Sequence, residues 1–257
     1  MAKLLVDIGN TRLKFARSSA GRQQRMHAVE HRGSERRLAA ALRASVGKVD
    51  EVVAVSVAGA AMEQRLRRVV SRVLRVPIRF VRSTTAAAGM TIGYREPWRL
   101  GADRWVALVG ARSIGNGLRA VLVVDVGTAM TIDLVDSAGL HRGGAIVPGP
   151  ELMTQSLLTQ TRGIRARASA PRRQRSSGLF ADNTRAGIEA GAKHAAAALI
   201  DRAMLEARRL LGSRPQLVLT GGAADQLAPL LNCPAELVPD LVLRGLARFA
   251  HPAERTR

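Results

Sequence analysis

Leu4-Leu5-Val6-Asp7-Ile8-Gly9-Asn10-Thr11-Arg12-Leu13-Lys14 decides how the rest of this chain is read. An apolar run ends in an acid, a glycine permits a tight reversal, and a second strand carries Thr11 and Lys14 outward. Such a hairpin gathers backbone N–H groups, small polar side chains and one ammonium at a single point. With an acid alongside to meet a metal, that is a cradle for the phosphates of a nucleotide. Taken alone, Asp-x-Gly also serves ordinary hairpins.

The plan recurs. Leu122-Val123-Val124-Asp125-Val126-Gly127-Thr128-Ala129-Met130-Thr131 again gives an apolar strand, Asp, apolar residue, Gly, small polar residue and second strand. One copy in each half of the chain indicates a duplicated domain and not a solenoid. Two such hairpins facing each other across a cleft would grip a polyphosphate from both sides.

The 257 residues suffice for two α/β domains of about 120 residues each, expected at 1–117 and 118–257. The single cysteine, Cys233, excludes an intrachain disulfide and a cysteine-rich metal site, and points to a reducing compartment. Asp7 interrupts the only apolar stretch that could serve as a leader, and Val52 to Met62 is too short to span a bilayer. The expectation is therefore a cytoplasmic protein without membrane contact. A net charge of +20 attracts polyanions, nucleic acid included. The arginines are spread along the chain, however, and aromatics make up only 3%, which leaves little to stack on bases. Nucleic acid is thus disfavoured as a partner, although a basic regulatory protein acting on it stands as an alternative.

Between the hairpins, Arg25 to His31 reads as a strand and Ser34 to Val46 as a helix capped by Ser34. Glu51 to Val57 and Pro77 to Val81 read as strands around an amphipathic helix over Ala61 to Leu74, whose arginines form a solvated face. Alternation of this kind is α/β. Thr84 to Asp103 is glycine-rich and holds Tyr94, the one tyrosine of the chain. It leads into a helix over Trp105 to Ile114, placing Asp103 and Arg104 at the helix N-terminus. They are either a cap with an exposed arginine, or a carboxylate placed to take a proton and a guanidinium placed to hold an acid group. After the second hairpin come a turn-flanked strand over Leu140 to Pro150 and a helix over Glu151 to Gln160. Thr161 to Asp182 lacks periodicity and reads as a mobile loop, with a basic cluster from Arg162 to Arg175. Asn183 caps an alanine-rich helix running to Leu211. Gln216 to Thr220 is a strand that Gly221-Gly222 turns into another helix, and Leu241 to Ala250 closes the chain as a helix. The five histidines, His141 among them, show no metal-ligand spacing.

In this order the motifs resemble those of the type III pantothenate kinase family, within the acetate kinase, sugar kinase, heat-shock 70 and actin superfamily. The resemblance runs through nearly the whole chain. It rests on Asp7 to Thr11 with Lys14, Gly101-Ala102-Asp103-Arg104, Asp125 to Ala129 with Thr131, Gly143 to Gly149, Asn183-Thr184, Thr220-Gly221-Gly222, and Pro239 to Leu243 with Gly245-Leu246. It implies two ribonuclease H-like domains in a homodimer, and ATP-dependent phosphorylation of pantothenate, the first step of coenzyme A synthesis. It further implies ATP contacts from Asp7, Ile8, Gly9, Asn10, Thr11, Arg12, Leu13, Lys14 and Thr128, with Asp103 as general base. Pantothenate would be held by Tyr94, Gly101, Ala102, Asp103, Arg104 and Thr184, the last a residue that a second subunit can supply. Asp125 matches the acid that binds a monovalent cation, K⁺ or NH₄⁺, and Asp7 is the acid expected to anchor Mg²⁺. The basic segment from Arg162 departs from the family pattern. A superfamily kinase acting on a sugar or short acid shares the hairpins but does not account for Tyr94 and Asn183-Thr184.

Overall fold

The computed structural model describes residues 1–9, 12–19, 22–30, 35–45, 47–114, 117–168 and 178–251. The chain divides into two compact units. The first comprises Met1–Leu118, Ser137–Arg142 and the segment from Asp240; the second comprises Arg119–Asp136 and Gly143–Pro239.

The first unit opens with strands β1 (Ala2–Ile8) and β2 (Arg12–Ser19), followed by β3 (Arg22–Gln23) and β4 (His27–Glu30). Helix α1 (Glu35–Ser45), β5 (Glu51–Ser56), helix α2 (Ala60–Val73) and β6 (Ile78–Phe80) complete its α/β alternation. The sheet order is β3-β2-β1-β5-β6, with β4 also paired to β2. Strands β1 and β2 form the antiparallel hairpin expected from the sequence, while β5 runs parallel to β1 and β6 parallel to β5. Leu4, Val6 and Ile8 point to the side that α1 and α2 cover with Leu38, Leu42, Leu66 and Val70. Full burial of each such side chain contributes about 1.5–3 kcal/mol before entropy is counted. Alternation along a strand sends Leu5 and Asp7 to the opposite face.

A small hairpin, β7 (Ala86–Ala87) and β8 (Met90–Thr91), carries the chain from this sheet to helix α3 (Ala102–Arg112). Its two-residue turn has Ala88 at φ 52° and Gly89 at φ 75°, the paired positive values of a type I′ turn. Helix α3 packs on α8 (Leu241–Ala250), and the two backbones touch through facing glycines, Gly110 and Gly245. A Cβ on Gly110 would lie 2.9 Å from the Gly245 nitrogen, and one on Gly245 would overlap the Val106 carbonyl.

The second unit repeats the scheme. Strands β9 (Val121–Val126), β10 (Ala129–Val135) and β11 (His141–Pro148) are followed by helices α4 (Pro150–Gln160), α5 (Arg162–Ala168) and α6 (Thr184–Leu211). Strand β12 (Gln216–Thr220), a short helix α7 (Ala224–Leu227) and β13 (Glu236–Leu237) complete it. The sheet order is β11-β10-β9-β12-β13, with β9 and β10 antiparallel and β12 parallel to β9. Each sheet therefore has an antiparallel hairpin at its centre and parallel strands added beyond it. A separate core forms from Val124, Met130, Ile132 and Leu219 against Ala196, Ile200 and Met204 of α6.

Two expectations are corrected. Arg162–Ala168, read as the start of a loop, is helical. Arginine and alanine are good helix formers, and Ala168 is buried, so the turn forms without the apolar stripe that would announce it. Residues 169–177, which hold the rest of the basic cluster, lie outside those described, as do Asn10, Thr11, His31 and Ser34. Helix α3 begins three residues before the expected Trp105, with Gly101 at its cap position, so Asp103 and Arg104 belong to its first turn.

Candidate functional site

The first hairpin brings Asp7 opposite Lys14 across the β1–β2 ladder. Its reversal is closed by the Gly9 amide, which donates to the Arg12 carbonyl at 3.1 Å. Ile8 and Leu13, on the two strands, are buried, and Arg12 is exposed. In the second hairpin Asp125 lies opposite Thr131, and the Gly127 amide donates to the Ala129 carbonyl at 3.1 Å, one residue tighter than in the first. Thr128 stands exposed at that tip.

Two glycine segments wrap the second hairpin. The Gly149 amide donates to the Thr128 carbonyl at 2.8 Å, and the Ala223 amide donates to the Val126 carbonyl at 3.2 Å. Gly221, at φ 97°, leaves room that a side chain would remove: a Cβ there would lie 2.5 Å from Asp125 Oδ1 and 2.5 Å from the Val126 nitrogen. Asp125 thus has its carboxylate beside bare backbone. Gly149 caps α4, and Pro150 follows at a position where its missing N–H costs nothing.

Asp103 and Arg104 open α3, far along the chain from either hairpin tip. The Asp103 carboxylate accepts from the Arg104 amide at 2.7 Å, and a Cβ on Gly101 would crowd the same carboxylate at 2.8 Å. Glycine at 101 therefore keeps open space next to the acid. Arg104 is buried at 8% exposure, which removes the reading of Asp103-Arg104 as a cap with an exposed arginine. Its guanidinium donates to the Tyr94 hydroxyl at 3.3 Å and lies 6.0 Å from the centre of that ring. The guanidinium is thus buried beside a phenol, and the carboxylate of the preceding residue is held by the helix backbone.

Thr184 is the first residue of α6, and the Asn183 side chain accepts from the Ala186 amide at 2.9 Å as a true N-cap. A capping side chain of this kind contributes about 1 kcal/mol to its helix. Asp7, Lys14, Tyr94 and Asp103-Arg104 belong to the first unit, and Asp125, Thr128 and Thr184 to the second. Sequence reasoning missed one neighbour of this group, His141. It is fully buried and its ring centre is 5.2 Å from that of Tyr94. Nothing local marks it, since the two rings lie 47 positions apart in the sequence and His141 has no metal-ligand spacing to the other histidines.

Two α/β units, each built around an Asp-x-Gly hairpin with parallel strands beyond it, define a duplicated, actin-like fold. The fold is shared with a Baf family transcriptional activator from Campylobacter jejuni, at TM-score 0.59 and 19% identity over 97% of this chain and 98% of that one. It is also shared with the activator of 2-hydroxyisocaproyl-CoA dehydratase from Clostridium difficile, solved with bound ADPNP, at TM-score 0.53 and 12% identity over 97% and 94%. Residues 3–206 match the family profile of type III pantothenate kinase. The type III pantothenate kinase of Nitrosococcus oceani is 36% identical over 99% of this chain and 96% of its own. That of Xanthomonas campestris pv. campestris is 40% identical over 97% and 98%. The chain belongs to the type III pantothenate kinase family. Among the described residues, no helix is long and apolar enough to cross a membrane.

Proposed function

We propose that this protein transfers the terminal phosphoryl group of ATP to the primary hydroxyl of pantothenate, the first step of coenzyme A synthesis. The observation that carries the reading is the Tyr94–Arg104–Asp103 constellation at the start of α3, in a chain that matches named pantothenate kinases end to end. Pantothenate is a small carboxylic acid with hydroxyl groups. Arg104 and Tyr94 hold its polar end, and Gly101 and Ala102 let backbone approach it. Asp103 takes the proton of the attacking hydroxyl as the oxygen meets phosphorus. Alignment and charge neutralisation dominate phosphoryl transfer, so the base contributes a part of the barrier reduction and not the whole.

The two hairpins hold the nucleotide. In this reading Asp7, Ile8, Gly9, Asn10, Thr11, Arg12, Leu13 and Lys14 of the first hairpin, and Thr128 of the second, are the ATP-binding residues. Mg²⁺ typically takes one or two carboxylates and fills its shell with phosphate oxygens and water. Asp7 would anchor it, and when bound it neutralises charge on the transferred group. Asp125, beside the bare backbone at Gly221, offers oxygens to a monovalent cation, K⁺ or NH₄⁺.

A homodimer belongs to the same proposal. In the second unit Ile146, Leu152, Leu157, Leu179 and Phe180 are exposed, Phe180 at 90%. A second copy of the chain would cover them and place Thr184 beside pantothenate.

The test is ADP release from ATP and Mg²⁺ with and without pantothenate, in potassium and then in sodium alone. Pantothenate-dependent turnover that requires potassium is expected. Absence of turnover in either salt, from folded protein, would overturn the proposal.

A further inference from the structure

We infer that His141 is a positioning residue for pantothenate, acting through Tyr94. The inference rests on the functional reading above and extends it to a residue outside the recognised motifs. Tyr94 is half-buried, and two groups fix its ring: the Arg104 guanidinium at its hydroxyl, and the His141 ring against it, tilted at 46° with centres 5.2 Å apart. Aromatic pairs in tilted contact favour one relative geometry.

The backbone leaves His141 no room to move away. The Thr91 amide donates to the Gly139 carbonyl at 3.0 Å, and Thr91 forms a parallel bridge with Leu140. Gly93, immediately before Tyr94, lies so near the His141 carbonyl that a Cβ on it would overlap the oxygen. Gly139, at φ 87°, crowds the Gly89 carbonyl in the same way. Two glycines, Gly93 and Gly139, therefore bring the Tyr94 loop and the segment ending at His141 into backbone contact. Helix α3 ties down the far end, because Arg112 donates to the Ser137 carbonyl at 3.2 Å. The helix that presents Asp103 and Arg104 in its first turn thus also anchors, at its last residue, the turn that delivers His141. Substrate acid, phenol and base are held in one frame, and the imidazole is the wall behind the phenol.

The test compares His141→Leu, which removes the ring at similar volume, with His141→Phe, which restores an aromatic face. The KM for pantothenate should rise about three- to tenfold in His141→Leu, while kcat and the KM for ATP stay within about twofold. His141→Phe should return the pantothenate KM to the parent value. Tyr94 is the only tyrosine, so protein labelled with 3-fluorotyrosine gives a single fluorine resonance, and that resonance should shift in His141→Leu. Should His141→Leu fail to fold, His141→Gln, which also lacks the aromatic face, carries the same comparison. An unchanged fluorine resonance overturns the positioning role whatever the substrate, as does a pantothenate KM unmoved in a variant that folds. If the parent protein does not bind pantothenate at all by calorimetry, the functional reading fails, and the resonance still decides whether His141 holds Tyr94.

Discussion

Replacing Gly245 by alanine tests whether the crossing of α3 and α8 sets the position of the α3 first turn. Within a helix, alanine is favoured over glycine by roughly 0.5–1 kcal/mol, so a crossing with slack would become more stable. The structure denies that slack. A Cβ on Gly245 would overlap the Val106 carbonyl oxygen and lie 2.8 Å from the Val106 carbonyl carbon and Cγ1. The obstacle is mainly backbone, so no rotamer change relieves it, and the helices would have to separate by roughly 1 Å or more to reach van der Waals contact. Overpacking of this kind costs about 1–3 kcal/mol and sometimes more. For a protein of this size each kcal/mol lowers Tm by about 2–4 °C, so a fall of roughly 3–10 °C is expected. A shift of about 1 Å near Asp103 would cost up to roughly a hundredfold in turnover. Thermal melting by circular dichroism and the ADP assay read the two effects. Gly191→Ala in α6 is the control, since a Cβ there meets nothing within 4 Å. It should leave Tm unchanged or raise it. If Gly245→Ala gained stability as Gly191→Ala does, the claim of a closed helix crossing would be refuted.

Two further outcomes are expected. Asp103→Asn should keep the Tm within a few degrees and lower kcat by about 10²–10⁴-fold, the usual contribution of a general base; a variant retaining most of its kcat would remove Asp103 from the mechanism. Burial acts to raise the Glu51 carboxyl, but hydrogen bonds from Lys3 and Arg79 outweigh it and hold the group below its ordinary value of 4.5. With the folded value depressed, the stabilisation is present above pH 4.5 and is lost as pH falls through the folded value. Urea titrations of the parent and Glu51→Gln between pH 7 and 3 should therefore show a gap of less than about 1 kcal/mol that closes on acidification. A gap that stays constant with pH would show that the Lys3–Glu51–Arg79 network does not act through that charge.

Much of this architecture was legible because it is written in local chemistry. Asp7-Ile8-Gly9 and Asp125-Val126-Gly127, each between apolar runs, identify hairpins by composition alone, and Asn183 marks the start of α6 because its side chain satisfies an amide three residues on. What escaped the sequence depends on partners distant in the chain. Helix α5 has no apolar stripe and is stabilised by what it packs against. Arg104 looks like an exposed helix-start residue until Tyr94 and the rest of α3 bury it. The glycines at 110 and 245 are, in sequence, merely poor helix formers; only their meeting explains both. His141 is the clearest case, because its significance lies in one ring contact across the fold. The apolar face of α8 likewise reads the same whichever sheet it covers.

The chain passes from one compact unit to the other four times, after Leu118, Asp136, Arg142 and Pro239. That threading bears on synthesis from the N-terminus. The β1–β2 hairpin emerges first, yet the face of α3 that carries Val106 and Gly110 stays uncovered until the residues from Leu241 onward have been made. The earliest-made unit is therefore the last to be finished, and an arrest before Asp240 would leave a nascent chain with an open core and an unanchored Asp103.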